Sequence, residues 1–229
     1  GGETKKYANI ASMKSHGFEL SISSRNIQRK NFSWTTDFIF STYKNEVTEL
    51  DAVASTMDYI SGTGFTMEGY PARGLFSIKF AGLDKEGIPM FYNEKGEITQ
   101  TDLSFQGGDD FSWLKYEGSI DPTFTGSLGN TFTYKNFHLN VYLTYSGGNV
   151  VRLDPVFSAQ YSDLTAMTRE FKNRWMIPGD ENKTNIPTIL SYRQYYENSL
   201  LTTAYNAYNY STERVAKGGF IRLKEISLG

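Results

Sequence analysis

Two histidines, His16 and His138, are the only imidazoles in the chain, and cysteine is absent. Neither histidine sits in an H-E-x-x-H or C-x-x-C pattern, so neither a zinc-ligand motif nor a thiolate nucleophile can be drawn from these residues. Carboxylates cluster at Asp109-Asp110 and Asp180-Glu181, and Asp84 to Gly87 has the outline of a calcium loop. The EF-hand alternation of oxygen ligands is missing there, and turn formation accounts for all three. A glycosidase needs two carboxylates across a cleft, a separation that sequence assigns to no pair here. GLDKEG and SGGN contain glycines without the spacing of a phosphate-binding loop. The expectation is therefore no enzyme, no metal and no cofactor.

Aromatic side chains are the remaining candidates, because they make up 15% of the chain. Flat rings with a polar edge suit both sugar faces and partner proteins. In the long irregular segment from Gly147 to Gly219, Trp175, Tyr192, Tyr195, Tyr196, Tyr205 and Tyr208 are the candidates for contact with a ligand or a lid protein. The same rings would serve to pack a loop that otherwise has no core, and the sequence leaves both roles open. Ser162 can cap a helix whose Leu164, Met167, Phe171 and Trp175 recur at helical spacing, as packing onto its own loop or as a stripe facing a partner.

The elements that must carry these residues are strands. GFELSISSR from Gly17 alternates, with Phe18, Leu20 and Ile22 on one side. KNF occurs twice, at Lys30 to Phe32 and Lys135 to Phe137, and each copy is a turn that opens a strand apolar at every second position. Around these turns the pattern predicts hairpins over about 17–43 and 122–147, separated by long excursions over about 45–121 and 147–219. LFSIKF at 75–80 and IPMFY at 88–92 are expected to be short strands. FIRLKEISL closes the chain as a strand whose alternation changes phase near Lys224, as a bulge would cause.

Charge and length narrow the class. With 23 basic against 25 acidic residues there is no global field for nucleic acid. The 229 residues suffice for one sizeable β domain or two small ones. No apolar run reaches the roughly 18 residues of a membrane helix, a test that a β-barrel escapes because its strands alternate. The start, Gly1-Gly2-Glu3, has no initiator Met, basic region or apolar run, which suggests a processed chain or an excised piece.

Alternation alone does not say whether the apolar face meets a core or lipid. The strand from Phe124 to Tyr134, tilted near 45°, rises about 25 Å, the height of a barrel's apolar band. On the second hairpin Phe124 and Tyr145 lie near the open end, Tyr134 and Phe137 flank the turn, and Leu128, Leu139, Val141 and Leu143 fill the middle. Two aromatic girdles with aliphatics between them require that order. Asn130 interrupts the row. Short turns at one end and excursions of about 70 residues at the other also fit a barrel. Phe132, Tyr134, Phe137, Leu139, Val141 and Leu143 are accordingly expected to face lipid, and Thr131, Thr133, His138, Asn140 and Thr144 a polar lumen. The rival is a soluble, aromatic-rich carbohydrate-binding β-sandwich, which would bury Phe137, Leu139 and Val141 under a second sheet.

At this point the residues suggest a family. GYPARGLFSIKFAGLDKEGIPMF, LKYEGSIDPTFTGSLGNTFTYKNFHLNVYLTYSGGN, RWMIPGDENKTNIP and GGFIRLKEISL together resemble the C-terminal barrel region of SusC/RagA-type TonB-dependent transporters. The most specific pieces are Pro122, Gly126, Asn130 and Tyr134 to Phe137 in the second hairpin, and Trp175 with Pro178 to Asp180. The resemblance implies an all-β fold, antiparallel hairpins from part of a transmembrane barrel, with long loops bearing one or two short helices across residues 1–229. It also implies import of glycans, oligosaccharides or peptides across a Bacteroidetes-type outer membrane. The implied partners are a SusD-like surface lipoprotein, the TonB complex through an N-terminal part that this sequence lacks, the cargo, and outer-membrane lipid. Plug gating and TonB coupling would belong to the parent protein, with this stretch supplying barrel wall and external loops.

Overall fold

The computed structural model describes residues 11–51, 54–63, 67–106, 110–155 and 168–229. β1 (Ala11–Arg29) and β2 (Phe32–Leu50) form the first hairpin around Lys30-Asn31. The first excursion follows, with α1 (Thr56–Ser61), β3 (Gly74–Ser77), β4 (Phe80–Leu83), β5 (Pro89–Tyr92), β6 (Ile98–Thr99) and β7 (Lys115–Ser119). β8 (Phe124–Tyr134) and β9 (Phe137–Gly147) make the second hairpin. β10 (Val150–Arg152) opens the second excursion, which continues through α2 (Tyr192–Glu197), α3 (Leu201–Asn209) and β11 (Val215–Lys217). β12 (Phe220–Leu228) ends the chain.

The long strands make one antiparallel sheet in the order β1-β2-β8-β9-β12. The two KNF turns lie side by side, for the Lys135 amide donates to the Asn31 carbonyl at 2.9 Å. Lys135 reaches that bond with φ at +56°, a left-handed conformation unusual for a side chain of its size. Three register shifts interrupt the sheet: between Ser12 and Met13, between Arg25 and Ile27, and between Leu223 and Glu225 at the position the changed alternation predicts.

The two excursions are not separate loops. Their apolar side chains merge into one core built from Tyr59 and Ile60 of α1, Phe76 and Ile78, Ile88 and Phe91, Trp113 and Leu114, and Leu201, Ala204, Tyr205, Ala207 and Tyr208 of α3. Ile78 and Ser211, far apart in sequence, form a parallel bridge, with the Ile78 amide donating to the Tyr210 carbonyl (3.0 Å) and the Thr212 amide to the Ile78 carbonyl (3.1 Å). Among the described residues this shared module carries three short α-helices, one more than the upper number the sequence suggests. Ser55 and Ser191 cap α1 and α2 through reciprocal bonds with Asp58 and Gln194.

Of the helix expected from Ser162 to Trp175, Ser162, Leu164 and Met167 lie outside the described residues; the described part is corrected, for Phe171 is buried in a 3-10 turn at Arg169–Asn173 and Trp175 lies in no helix. The Trp175 amide instead donates to the Ile186 carbonyl at 2.9 Å, closing the loop between them.

Candidate functional site

The apolar face of the long sheet is a continuous, ordered surface. Cross-strand register aligns Phe32 with Tyr134 and Phe137 at the turn end. Above them Ile27, Trp34, Phe132, Leu139 and Leu228 form a row. A middle row runs across all five strands through Ile22, Phe38, Leu128, Leu143 and Leu223, and the far end carries Leu20, Phe40, Tyr145 and Ile221. Trp34 stacks on Phe132 with ring centroids 5.6 Å apart, and Phe40 on Phe124 at 6.4 Å. No second sheet among the described residues pairs with or joins this one. Phe137 is 63% exposed, and Phe18, Ile22, Tyr134, Ile221, Leu223, Ile226 and Leu228 are exposed too. The burial that a β-sandwich requires is absent from this face.

Asn130, unexplained in sequence, is the hub of a hydrogen-bond network within this face. Its Oδ1 accepts from the Trp34 indole at 2.9 Å and from the Thr36 hydroxyl at 2.7 Å, while the Asn26 amide donates to Thr36 Oγ1 at 2.6 Å and the Ser24 hydroxyl to Asn26 Oδ1 at 3.0 Å. These bonds pair the Trp34 indole and the Thr36 hydroxyl within the face, which lowers the cost of placing them against hydrocarbon. Tyr145 solves the same problem at the far end. Its ring lies over Gly126, where a Cβ would come 2.3 Å from the phenol oxygen, and its hydroxyl donates to the Ile39 carbonyl at 2.9 Å.

The opposite face is polar. Thr131 donates to Asn140 Oδ1 at 3.3 Å, Thr133 and His138 Nδ1 are 3.1 Å apart, and Ser23 donates to Asp37 at 2.5 Å. Thr144 lies opposite Ser127 and Arg222.

The six candidate aromatics divide. Tyr205 and Tyr208 are only 3% and 2% exposed, and both belong to the core of the shared module. They are corrected to packing residues. Burial pushes both phenols well above their ordinary pKa, and Tyr205 donates its hydroxyl to the Thr188 carbonyl at 2.8 Å. The missed signal was the α3 pattern Leu201, Ala204, Tyr205, Ala207, Tyr208, an apolar stripe at helical spacing. Trp175 is half-buried and structural: its ring covers Gly87, where a Cβ would come 2.5 Å from it, and its indole donates to Glu181 at 3.1 Å. Asp180 accepts from Lys183, which does most to lower its carboxyl pKa, and from the Ile177 and Met176 amides, which lower it further. Glu181, held by its own amide, the Trp175 indole and the Gly179 amide, is lowered as well. The W-x-x-P-G-D stretch is thus a locked turn that presents Met176 and Ile177 outward. Tyr192 and Tyr196, 75% and 74% exposed with centroids 5.0 Å apart, form a bare pair on α2, with Tyr195 beside them in the same helix.

A long antiparallel sheet, apolar on one face, polar on the other and aromatic at both ends of the apolar band, is a section of barrel wall. No helix among the described residues is long and apolar enough to cross a membrane, which says nothing of a barrel. No protein-family model matches the chain. It is 28% identical over 247 residues to TonB-dependent receptor P3 of Formosa agariphila, covering 100% of this chain and 22% of that protein. With TonB-dependent receptor P39 of the same organism the identity is 26% over 266 residues, covering 97% and 24%. Among solved structures, the RagAB peptide transporter superposes with a TM-score of 0.66 at 19% identity over 97% of this chain and 23% of the transporter chain, and RagAB in an open-open state with 0.65 at 20%. The chain therefore resembles TonB-dependent receptors in sequence and the RagAB transporter in fold, as the SusC/RagA-type resemblance implies. The chain spans less than a quarter of the length of these relatives.

Proposed function

We propose that this chain is part of the wall and the external face of an outer-membrane TonB-dependent importer whose cargo is a glycan, an oligosaccharide or a peptide. The observation that carries the reading is the apolar face: girdled, with the Asn130 side-chain carbonyl oxygen bonded to Trp34 and Thr36, and free of any covering layer among the described residues. Its edges support the same reading. β1 and β12 each have one strand neighbour, and an unpaired backbone edge in a membrane must be closed by further strands. In this reading Phe132, Tyr134, Phe137, Leu139, Val141 and Leu143 meet lipid, while Thr131, Thr133, His138, Asn140 and Thr144 line the lumen.

The division of labour follows from the chemistry. The wall holds a dry outer surface and a wet inner one, and the external module offers Tyr192, Tyr195 and Tyr196 to the cargo or to a SusD-like lipoprotein lid. Energy would enter through the TonB complex at a part of the receptor outside this chain. RagAB, similar to this chain in fold, is a peptide transporter, which favours peptides among the three cargo classes. Uptake of labelled oligopeptides and oligosaccharides by cells with and without the gene tests the reading. Import that requires the gene and stops with a protonophore is expected; import indifferent to both would overturn it.

A further inference from the structure

Arg152 is the last residue of β10, and β10 continues β9 beyond the sheet through Gly148 and Asn149. β11, its partner in a two-stranded ribbon, leads through Gly218-Gly219 into β12. The ribbon therefore stands directly on two wall strands. The Gly218 amide donates to the Asn149 carbonyl at 2.9 Å, and the Asn149 amide group to the Ile120 carbonyl at 3.2 Å, closing its base.

At its tip the Arg152 guanidinium is enclosed by oxygens from three separate stretches. Nη1 donates to Ser77 Oγ at 3.0 Å and to the Ser211 carbonyl at 2.9 Å; Nη2 donates to the Ile60 carbonyl at 3.0 Å and the Phe76 carbonyl at 2.6 Å. Ile60 is in α1, Phe76 and Ser77 are in β3, and Ser211 follows α3, so both excursions are gripped at once. Ser77 and Ser211 are fully buried. Neighbouring charge is partly shared out: Arg214 bonds Glu170 at 2.6 Å and the Asp154 carbonyl at 2.9 Å, and one Glu117 oxygen pairs with Lys115 at 3.0 Å, while the other Glu117 oxygen and the Nε atoms of Arg152 and Arg214 are buried with no hydrogen bond. Burial lowers the Arg152 pKa to about 10, with Glu117 and Tyr210 opposing, so the group stays protonated at neutral pH.

We propose that Arg152 is a positioning residue that helps fix the external module to the barrel wall, its guanidinium joining α1, β3 and the Ser211 turn to the ribbon that rises from β9 and β12, beside the β2 bonds of Val47 with Tyr70 and Gly69. The four acceptors are neutral oxygens in a forked arrangement, so planar geometry matters here as much as charge. The residue acts through the module, by setting where α2 and the Met176-Ile177 turn stand over the lumen.

The inference rests on the barrel reading only for which way the module faces. Residue-resolved hydrogen exchange on the full-length receptor in nanodiscs tests it. In Arg152→Met the Ile78 and Thr212 amides, which bond the two excursions together, should exchange about tenfold faster or more, since bonds from a charged donor are at stake. The Leu128 and Leu143 amides of the wall should be unchanged. Unchanged exchange at Ile78 and Thr212, or equal loss in module and wall, would overturn the proposal. Arg152→Lys should recover little, and full recovery would overturn the role of the fork. Should Arg152→Met fail to reach the membrane, Ser77→Ala removes one acceptor only; it should speed the same two amides by a smaller factor, and no change there would count against the proposal. A wall that exchanges freely even in the unaltered protein would instead count against the barrel reading.

Discussion

An arginine walked along the apolar face of β9 should report depth in the membrane. Each residue advances about 2.3 Å along the barrel normal for a strand tilted near 45°. From the Tyr134–Phe137 row to the Phe124–Gly147 row the band is then about 23 Å high. Leu139 stands about 5 Å above the turn-end girdle, Val141 about 9 Å and Leu143 about 14 Å, so the midplane at about 12 Å falls between the last two. Val141→Arg and Leu143→Arg should each cost about 2 to 4 kcal/mol, and Leu139→Arg about 1 kcal/mol or less, because its long side chain can reach the interface. Guanidinium unfolding of the full-length receptor from lipid vesicles measures the series. Equal costs at the three sites, or a larger cost for Asn140→Leu on the polar face than for Leu143→Arg, would refute the assignment of faces.

Removing the Asn130 hub by Asn130→Ala leaves the Trp34 indole and Thr36 hydroxyl without their acceptor, at a cost of about 1 to 3 kcal/mol; a neutral result in the same unfolding assay would place that face in water. Tyr205→Ala should cost about 3 to 5 kcal/mol as loss of a buried aromatic, whereas Tyr192→Ala should leave the melting curve unchanged and weaken cargo or lid binding in a pull-down; a reversed pattern would return Tyr205 to the surface. Gly87→Ala should loosen the 175–187 turn, because Gly87 has φ of +79° and a Cβ would enter the Trp175 ring, and a fluorine label on Trp175 should broaden or split. That turn should also open in acid. Asp180 and Glu181 have folded pKa values below their unfolded ones, so their contribution is present at neutral pH and is lost as pH falls below about 4, and the same label should shift there.

Much of the wall was legible because its signals are local. Alternation placed the KNF hairpins, and the phase change near Lys224 located the β12 bulge from sequence alone. The short strands at 75–80 and 88–92 were visible too, although the first breaks in two at Ile78-Lys79, where the backbone turns to bond Ser211 and its neighbours. What stayed hidden depends on distant partners. Asn130 is explained by Trp34 and Thr36 on a strand 96 and 94 residues earlier. Tyr205 and Tyr208 are core residues because Ile78, Phe91 and their neighbours from the other excursion close over them, and no local pattern reveals that two long loops share one interior. Arg152 gave no sequence signal, since a single arginine after a strand has many ordinary surface roles.

The central claim is that the odd-numbered face of β9 meets hydrocarbon. The chain has no cysteine, so a spin label can be attached at each position from Phe137 to Tyr145 against a blank background within it. In the full-length receptor in bilayers, oxygen accessibility should rise at Phe137, Leu139, Val141, Leu143 and Tyr145 and fall at the even positions between them, peaking near Val141 and Leu143. Accessibility to a water-soluble nickel reagent at those odd positions, or no alternation at all, would contradict it.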